Sequence, residues 1–208
     1  MPRSVEWMQY TFEAVANPCP PHEPDAMDNQ FWNACENGYL DVVREMLALQ
    51  GDRAVDVHAG GVYGFQLACE NGHLDVVREL LALQGDRFIN VHAGNEISFQ
   101  WACMYGHLNV VRELLALQGD RAVDVHAQDE FACRWALEQG HLLVVRELLA
   151  LEGARAPDPD VVRKLGLEEL YRAVRWDRRR AMLVRRTAGQ RAARAARAAD
   201  NRTHAALC

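Results

Sequence analysis

The sequence predicts an all-α protein, a helical-repeat solenoid with additional helices flanking it at both ends. Three observations predict this fold class. One motif recurs every 34 residues, apolar residues follow a helical spacing on both sides of a glycine in each copy, and half of the chain is apolar. A single helix pair cannot bury its own apolar faces, so neighbouring copies must stack.

The second helix of each unit follows a repeated glycine. The four glycines are 34 residues apart and share the frame x-Gly-Tyr/His-Leu: Gly38, Gly72, Gly106 and Gly140. A segment of the form Leu-x-Val-Val-Arg-Glu follows each of them, and its apolar positions form a helical stripe. The pattern predicts helices at 40–49, 74–83, 108–117 and 142–151.

The first helix of each unit precedes the same glycine. Shorter apolar segments lie at 31–35, 65–69, 99–103 and 133–137, each with an alanine at the matching place. Alanine allows two helices to approach closely, and glycine can adopt the positive φ that ends a helix. The predicted repeats are therefore 27–60, 61–94, 95–128 and 129–157.

The repeat resembles the ankyrin repeat. The motif Ala-Cys-x-x-Gly-His-Leu-x-Val-Val-Arg-x-Leu-Leu occurs whole at 68–81 and 102–115, and the resemblance covers about residues 27–157. The family's Thr-Pro-Leu-His opening is replaced by Tyr63-Gly-Phe-Gln, Ile97-Ser-Phe-Gln and Phe131-Ala-Cys-Arg, and the link after the second helix is longer. The resemblance implies the helix pairs and a protein-binding function, whereas these departures put the family's β-hairpin fingers in question.

Two flanking regions lie outside the repeats. Residues 1–26 hold Val5, Met8, Phe12 and Val15 at helical spacing before a proline-rich linker, so either a cap over the first repeat or a detachable partner-binding helix is expected. After Pro157, residues 158–185 carry an apolar stripe and are expected to form one capping helix. Residues 186–208, rich in arginine and alanine, have little to bury and are expected to be disordered.

The charge divides along the chain. Residues 1–153 contain 9 arginines and 23 acidic residues, a net charge of −14, and residues 154–208 contain 14 basic and 6 acidic residues, a net charge of +8. No signal peptide or membrane span is evident, which favours an intracellular, cytoplasmic protein. We expect a monomer that does not associate with membranes, with Cys35, Cys69 and Cys103 as reduced, small apolar residues.

Histidines and glycine-aspartate-arginine triplets recur with the repeat, and both have structural interpretations. Stacked repeats place equivalent histidines about 10 Å apart, too far to share one metal ion. The resemblance implies that His73, His107 and His141 hold the turn between helices by hydrogen bonds; His58, His92 and His126 form a second series. In each triplet the glycine is expected to end a helix and the arginine to lie near the helix carbonyls. No catalytic motif is present, so no enzyme activity, metal or cofactor is expected.

The candidate site is where the repeat is broken. Glu36, Glu70 and Glu138 occupy one position before the turn glycine, and the third repeat has Met104-Tyr105 there instead. The resemblance implies that these positions face a concave binding groove. Together with Trp101 and Trp135 they predict a surface for a protein with basic and apolar features, although local repacking of Met104 and Tyr105 against those tryptophans is the alternative.

A second functional class is nucleic-acid binding by the C-terminal tail. Five arginines in two clusters support it: Arg178, Arg179, Arg180, Arg185 and Arg186. The absence of interleaved aromatic residues and the acidic repeats argue against it, so a protein partner is the preferred interpretation.

Overall fold

A computed structural model describes residues 26–205, with side chains described except at residues 52, 189 and 191–205. The chain divides into two compact units, one ending at Leu148 and one beginning at Leu149. Ten α-helices lie in the described residues: α1 Ala26–Glu36, α2 Leu40–Leu47, α3 Ala59–Glu70, α4 Leu74–Leu81, α5 Ala93–Met104, α6 Leu108–Leu115, α7 Ala127–Glu138, α8 Leu142–Leu149, α9 Pro159–Lys164 and α10 Glu168–Ala205. The predicted all-α solenoid is confirmed.

The turn between the paired helices depends on its glycine. Gly72 has φ +78°, and the following His73 N–H donates to the Ala68 carbonyl at 2.9 Å. This is a Schellman-type end for α3, and a residue with a side chain would be strained in that conformation. The chain therefore reverses within three residues, which brings α4 antiparallel to α3.

The core runs through the stack of first helices. Phe31, Phe65 and Phe99 are each 1% exposed, and α1 packs on α3, α3 on α5 and α5 on α7. Cys35, Cys69, Cys103 and Cys133 lie in this core as free thiols, which confirms their expected role as small apolar residues. Burial raises the pKa of the Cys35 thiol to about 12.

A left-handed turn opens the first helix in repeats two to four. Three consecutive residues have positive φ in each: Gly60, Gly61 and Val62; Gly94, Asn95 and Glu96; and Gln128, Asp129 and Glu130. No strand occurs within residues 26–205, so the described repeats have this left-handed turn and no β-hairpin finger.

One side chain in each repeat spans that turn. The Gln66 and Gln100 amides donate to the carbonyls five residues earlier, at 3.0 Å and 2.8 Å, and the Arg134 guanidinium does the same at 2.8 Å. These are the last residues of the segments that replace the Thr-Pro-Leu-His opening. The departure in sequence thus supplies the donor that a left-handed opening needs.

The second unit differs from its prediction. A helix pair replaces the single capping helix expected at 158–185: the Asp158 side chain caps α9, and Gly166 with φ +66° separates α9 from α10. Helix α10 then continues through the predicted disordered tail to Ala205, because alanine and arginine are among the strongest helix formers. Capping of the repeats by residues 158–185 stays a prediction, and residues 1–25, with the predicted N-terminal helix, lie outside the described part.

Candidate functional site

The first helices share a partly exposed face. Along α3 it comprises Tyr63 and Glu70, seven residues and about two turns apart on one side of the helix, with the buried Leu67 between them. Residues 34 positions away in the other repeats continue this face, and Trp32 and Tyr105 adjoin it through contacts with Tyr63 and Glu70. We call the following set the first-helix surface: Trp32, Glu36, Tyr63, Glu70, Trp101, Met104, Tyr105, Phe131, Trp135 and Glu138.

Carboxylates and tyrosines alternate across the first three repeats of this surface. Partial burial, followed by the charges of Glu70 and Glu36, raises the pKa of Tyr63. Burial also raises the pKa of Glu70, and the nearby charge of Glu36 adds to this, while a hydrogen bond from Tyr105 opposes it. Two carboxylates and two phenols therefore lie within electrostatic reach of one another.

Tyr105 is the most exposed aromatic residue of this cluster, at 42%. Its ring stacks on the His107 imidazole, with the centroids 6.5 Å apart and the planes 29° from parallel. Its hydroxyl donates to Glu70, and burial together with that carboxylate raises the tyrosine pKa. Tyr105 is thus fixed by its ring contact with His107 and by its hydroxyl contact with Glu70, while 42% of the residue remains exposed.

Two aromatic pairs extend the surface in both directions. Trp32 meets Tyr63 edge to face, with ring centroids 5.0 Å apart, and Phe131 meets Trp135 with centroids 5.2 Å apart. Trp101 and Met104 are half-buried between these pairs in the repeat order, and Glu138 is exposed. The surface therefore combines large apolar area with carboxylates at its edge.

The structure brings together part of the predicted site. Glu36, Glu70 and Tyr105 belong to one electrostatic cluster, whereas Trp135 contacts Phe131 and no described contact joins Glu138 to the cluster. Sequence analysis missed Trp32, Tyr63 and Phe131. For Trp32 a signal was available, because repeats two and three have glutamine at that position.

The histidines His73 and His107 bond to the backbone of two residues of this surface. The His73 Nε2 bonds to the Glu36 carbonyl at 2.8 Å, and His107 Nε2 bonds to the Glu70 carbonyl at 2.6 Å. Each bond joins one repeat to the repeat before it. The predicted role of these histidines was to hold the turn between helices by hydrogen bonds, and the structure shows that the bonds also connect neighbouring repeats. Burial lowers the pKa of His107. A neutral imidazole then donates from Nε2 and fixes the backbone beneath a surface carboxylate.

The second helices present a different surface, which is formed by ion pairs between repeats. In the sequence, an aspartate lies three residues before Arg44 and before Arg78, a spacing that allows pairs within one helix. In the structure Arg44 bonds to Glu79 and Arg78 to Glu113 of the next repeat, each at 2.8 Å, and Arg112 pairs with Glu147 in the same way. The cause is geometric, because stacking brings equivalent positions of adjacent repeats within reach of each other.

The triplet arginines also act between repeats. The Arg87 guanidinium donates to the Leu47 carbonyl at 2.8 Å, and Arg121 donates to the Leu81 carbonyl at 3.1 Å. Each carbonyl ends a second helix, so the arginines do lie at the negative end of a helix dipole. The helix belongs to the preceding repeat, however, which the sequence did not indicate.

Metal sites and membrane-spanning helices are both absent from the described residues. Within residues 26–205, no group of three histidine, cysteine or acidic side chains is arranged to hold a metal ion. In that same range, no helix combines the length and apolar character that crossing a bilayer needs.

Comparison with known families gives one match. The profile of a family described as "Ankyrin repeats (3 copies)" matches residues 31–129 and, in an overlapping second match, residues 65–160. These two ranges together cover more than half of the chain. Searches among curated proteins and among solved structures found no significant match.

Proposed function

Because the chain belongs to the ankyrin repeat family, whose members generally serve as protein–protein interaction modules, we propose that its repeats bind a protein through the first-helix surface. Proteins of this family are typically non-catalytic scaffolds, and the proposed function is binding without chemistry. The alternation of Glu36, Tyr63, Glu70 and Tyr105 is the observation that carries this proposal.

The chemistry of the surface favours a partner with basic and apolar side chains. Glu36 and Glu138 have no cationic partner among the described residues, and the Glu70 carboxylate is held by a phenol rather than a cation. An arginine or lysine from a partner would gain a charge-assisted hydrogen bond here. Tyrosine, tryptophan and methionine are enriched at interfaces. Tyrosine and tryptophan bury large areas with only two rotatable side-chain bonds, and methionine adapts its shape to irregular apolar surfaces.

Met104 and Tyr105 are the proposed anchor. They replace the glutamate and polar residue found in the other three repeats, so the acidic row is interrupted by an apolar step. Binding energy in interfaces concentrates in a few such residues near the centre, surrounded by polar groups that exclude water. A partner would accordingly place an apolar side chain at Met104 and cations toward the flanking glutamates.

The test compares two double variants of the full chain in affinity purification followed by mass spectrometry. Met104→Ala/Tyr105→Ala removes the anchor, and Asp41→Asn/Asp75→Asn changes two exposed residues of the second helices as the matched control. Each captured protein is then purified and its affinity measured by calorimetry. We expect the anchor variant to weaken binding about tenfold or more, and the control to leave it unchanged.

Equal affinity of the folded anchor variant and the wild type for every captured protein would contradict the site. A partner that is lost from the control variant alone would place the binding surface on the second helices instead. Tyr105→Phe separates the two contributions of Tyr105, because it retains the ring and removes the hydrogen bond to Glu70.

We also propose an intracellular location. The support is that Cys35, Cys69, Cys103 and Cys133 are free thiols, as is usual in a reducing compartment.

A further inference from the structure

Helix α10 has a long exposed stretch beyond its buried Val174. It comprises 38 residues, Glu168–Ala205, and from Trp176 to Ala188 every described side chain is exposed. At 1.5 Å per residue, the stretch from Trp176 to Ala188 is about 20 Å long. A helix normally gains most of its stability by burying one face, so a stretch of this length with no buried side chain is suited to covering by a partner.

The exposed stretch is strongly basic. Arg178 approaches Glu152 at 3.8 Å, but Arg179, Arg180, Arg185 and Arg186 have no acidic partner in the described part of the chain. In the sequence, further arginines follow at positions 191, 194, 197 and 202, with Asp200 as the single acidic residue from 178 to 202. The unpaired cations call for an anionic partner of extended form.

The arginines surround the helix instead of lining one face. At 100° per residue, Arg179 and Arg180 lie on sides of the helix different from that of Arg185. The exposed apolar residues Trp176, Met182, Leu183 and Val184 alternate with them around the axis and form no single face. A helix that lies in a membrane interface separates its apolar and charged faces, so this arrangement disfavours a lipid surface.

We propose that the basic stretch of α10, from Arg178 through Arg186 and onward, binds duplex DNA by lying in the major groove. An α-helix with side chains is about 10–12 Å wide and the B-form major groove is about 12 Å wide. Phosphates border the groove on both sides, so cations on several sides of one helix can reach them. The major groove of duplex RNA is too deep and narrow for such a helix.

The acidic repeats do not prevent this interaction. At physiological ionic strength the Debye length is about 8 Å, so phosphates respond chiefly to the charges nearest to them. Contacts of arginine with phosphate carry no sequence information, and binding is expected to be independent of base sequence and to weaken steeply with salt. This inference does not rest on the function proposed for the first-helix surface.

The experiment measures anisotropy of a fluorescein-labelled, random-sequence DNA duplex of about two helical turns, titrated with the full chain at ~50–200 mM salt. The test variant is Arg179→Gln/Arg180→Gln/Arg185→Gln/Arg186→Gln. Glutamine has nearly the same helix propensity as arginine, so α10 should persist, which circular dichroism checks. The control, Arg44→Gln/Arg53→Gln/Arg78→Gln/Arg112→Gln, removes the same charge from exposed arginines of the repeats.

We expect the test variant to bind at least about tenfold more weakly than the control and to lower the slope of log affinity against log salt by about 2–4. The wild type should prefer duplex DNA to duplex RNA and to vesicles that contain phosphatidylserine. Three results would each overturn the proposal: no DNA binding by the wild type at ~50 mM salt, equal affinities of the two variants, or tighter binding to RNA or to vesicles.

Discussion

The imidazole of each repeat lies against the turn glycine of the repeat before it. A Cβ added at Gly38, Gly72 or Gly106 would come within van der Waals overlap of the ring at His73, His107 or His141. The His107 ring cannot retreat without losing its 2.6 Å bond to the Glu70 carbonyl. Each glycine thus serves two functions, since it also adopts a positive φ that ends the first helix.

A comparison of Gly72→Ala with Gly140→Ala separates the cost of the positive φ from the cost of the contact with the imidazole. Both glycines have nearly the same φ, +78° and +79°, but nothing lies within 4 Å of a Cβ at Gly140. We expect Gly140→Ala to cost about 1–2 kcal/mol from backbone strain, and Gly72→Ala to cost about 1–3 kcal/mol more from overpacking. Urea unfolding of both variants measures the difference, and equal costs would show that the imidazole contact is easily relieved.

The second histidine series contains an ion pair between a partly exposed imidazole and a buried carboxylate. His92 Nε2 lies 2.7 Å from the Asp120 carbonyl, which can only accept, and its Nδ1 lies 2.5 Å from the Glu96 carboxylate. Glu96 is 4% exposed and also accepts from the Asp124 N–H. Both ring nitrogens face acceptors, so the imidazolium is favoured. The hydrogen bonds to Glu96 and then to the Asp120 carbonyl raise the pKa of His92.

The raised pKa of His92 determines how the stability of the protein changes with pH. Because the folded pKa of His92 lies above the unfolded value, the stabilisation is fully present below about pH 6.5 and is lost as the pH rises through the folded pKa. Glu96→Val introduces the residue that repeat two has at this position, Val62, with the same φ of +68°. We expect the stability advantage of the wild type over this variant to shrink between about pH 6 and pH 9.

Urea midpoints of the two proteins across that range provide the measurement, and contributions of the other histidines cancel in the difference. A difference that stays constant or grows with pH would show that the pair does not hold its proton as inferred.

At the scale of single elements, the left-handed turn stores backbone strain. Six residues other than glycine have positive φ in the described part of the chain, including the β-branched Val62. Each such residue costs of order 1 kcal/mol, which the surrounding contacts must offset. Here the offset comes from the buried Gln66 and Gln100 amides, whose bonds span the turn.

Replacing glutamine by glycine should have opposite effects inside and outside this turn. Gln128 is exposed at φ +54°, so Gln128→Gly is expected to stabilise by about 0.5–1 kcal/mol through relief of strain. Gln30 is exposed within the right-handed helix α1, where Gln30→Gly is expected to destabilise by about 1 kcal/mol. Thermal and urea unfolding report both signs, and a destabilising Gln128→Gly would mean that the turn carries no strain at that residue.

At the scale of the whole molecule, stacking is the dominant source of stability in the repeats. The ion pairs that join the second helices involve exposed side chains, and such pairs contribute little and are screened by salt. The apolar residues between the same helices are fully buried, as Leu80 shows at 1% exposure. Burial of one such side chain is therefore expected to outweigh the three ion pairs together.

We expect Leu80→Ala to destabilise by about 2–5 kcal/mol, and the triple variant Arg44→Gln/Arg78→Gln/Arg112→Gln to lower the unfolding midpoint by less. Raising salt from ~0.1 to ~1 M should diminish the effect of the triple variant and leave that of Leu80→Ala. If the triple variant were less stable than Leu80→Ala, the ion pairs and not apolar burial would be the main source of the stability of the stacked repeats.

The sequence by itself determined the helix pairs of the four repeats and their order, but neither the full length of the first helices nor the division of the C-terminal region into α9 and α10. The period of 34 residues, the turn glycines and the helical stripe are local features, and local propensity with binary patterning is enough to predict elements of this kind. The same pattern indicated Tyr105 as a candidate site residue beside Glu36 and Glu70, because a position that departs from an otherwise regular repeat is visible without a structure.

Only the tertiary structure decided which side chains meet between repeats. Arg44 pairs with Glu79 rather than Asp41, Arg87 caps the helix that ends at Leu47, and Tyr63 joins the cluster of Glu36 and Glu70. These contacts depend on the offset between stacked helices, which is set by the packing of whole side chains and has no local signature in the sequence. The left-handed turn belongs to the same class, because its strain is offset by a side-chain donor that spans the turn from the following helix.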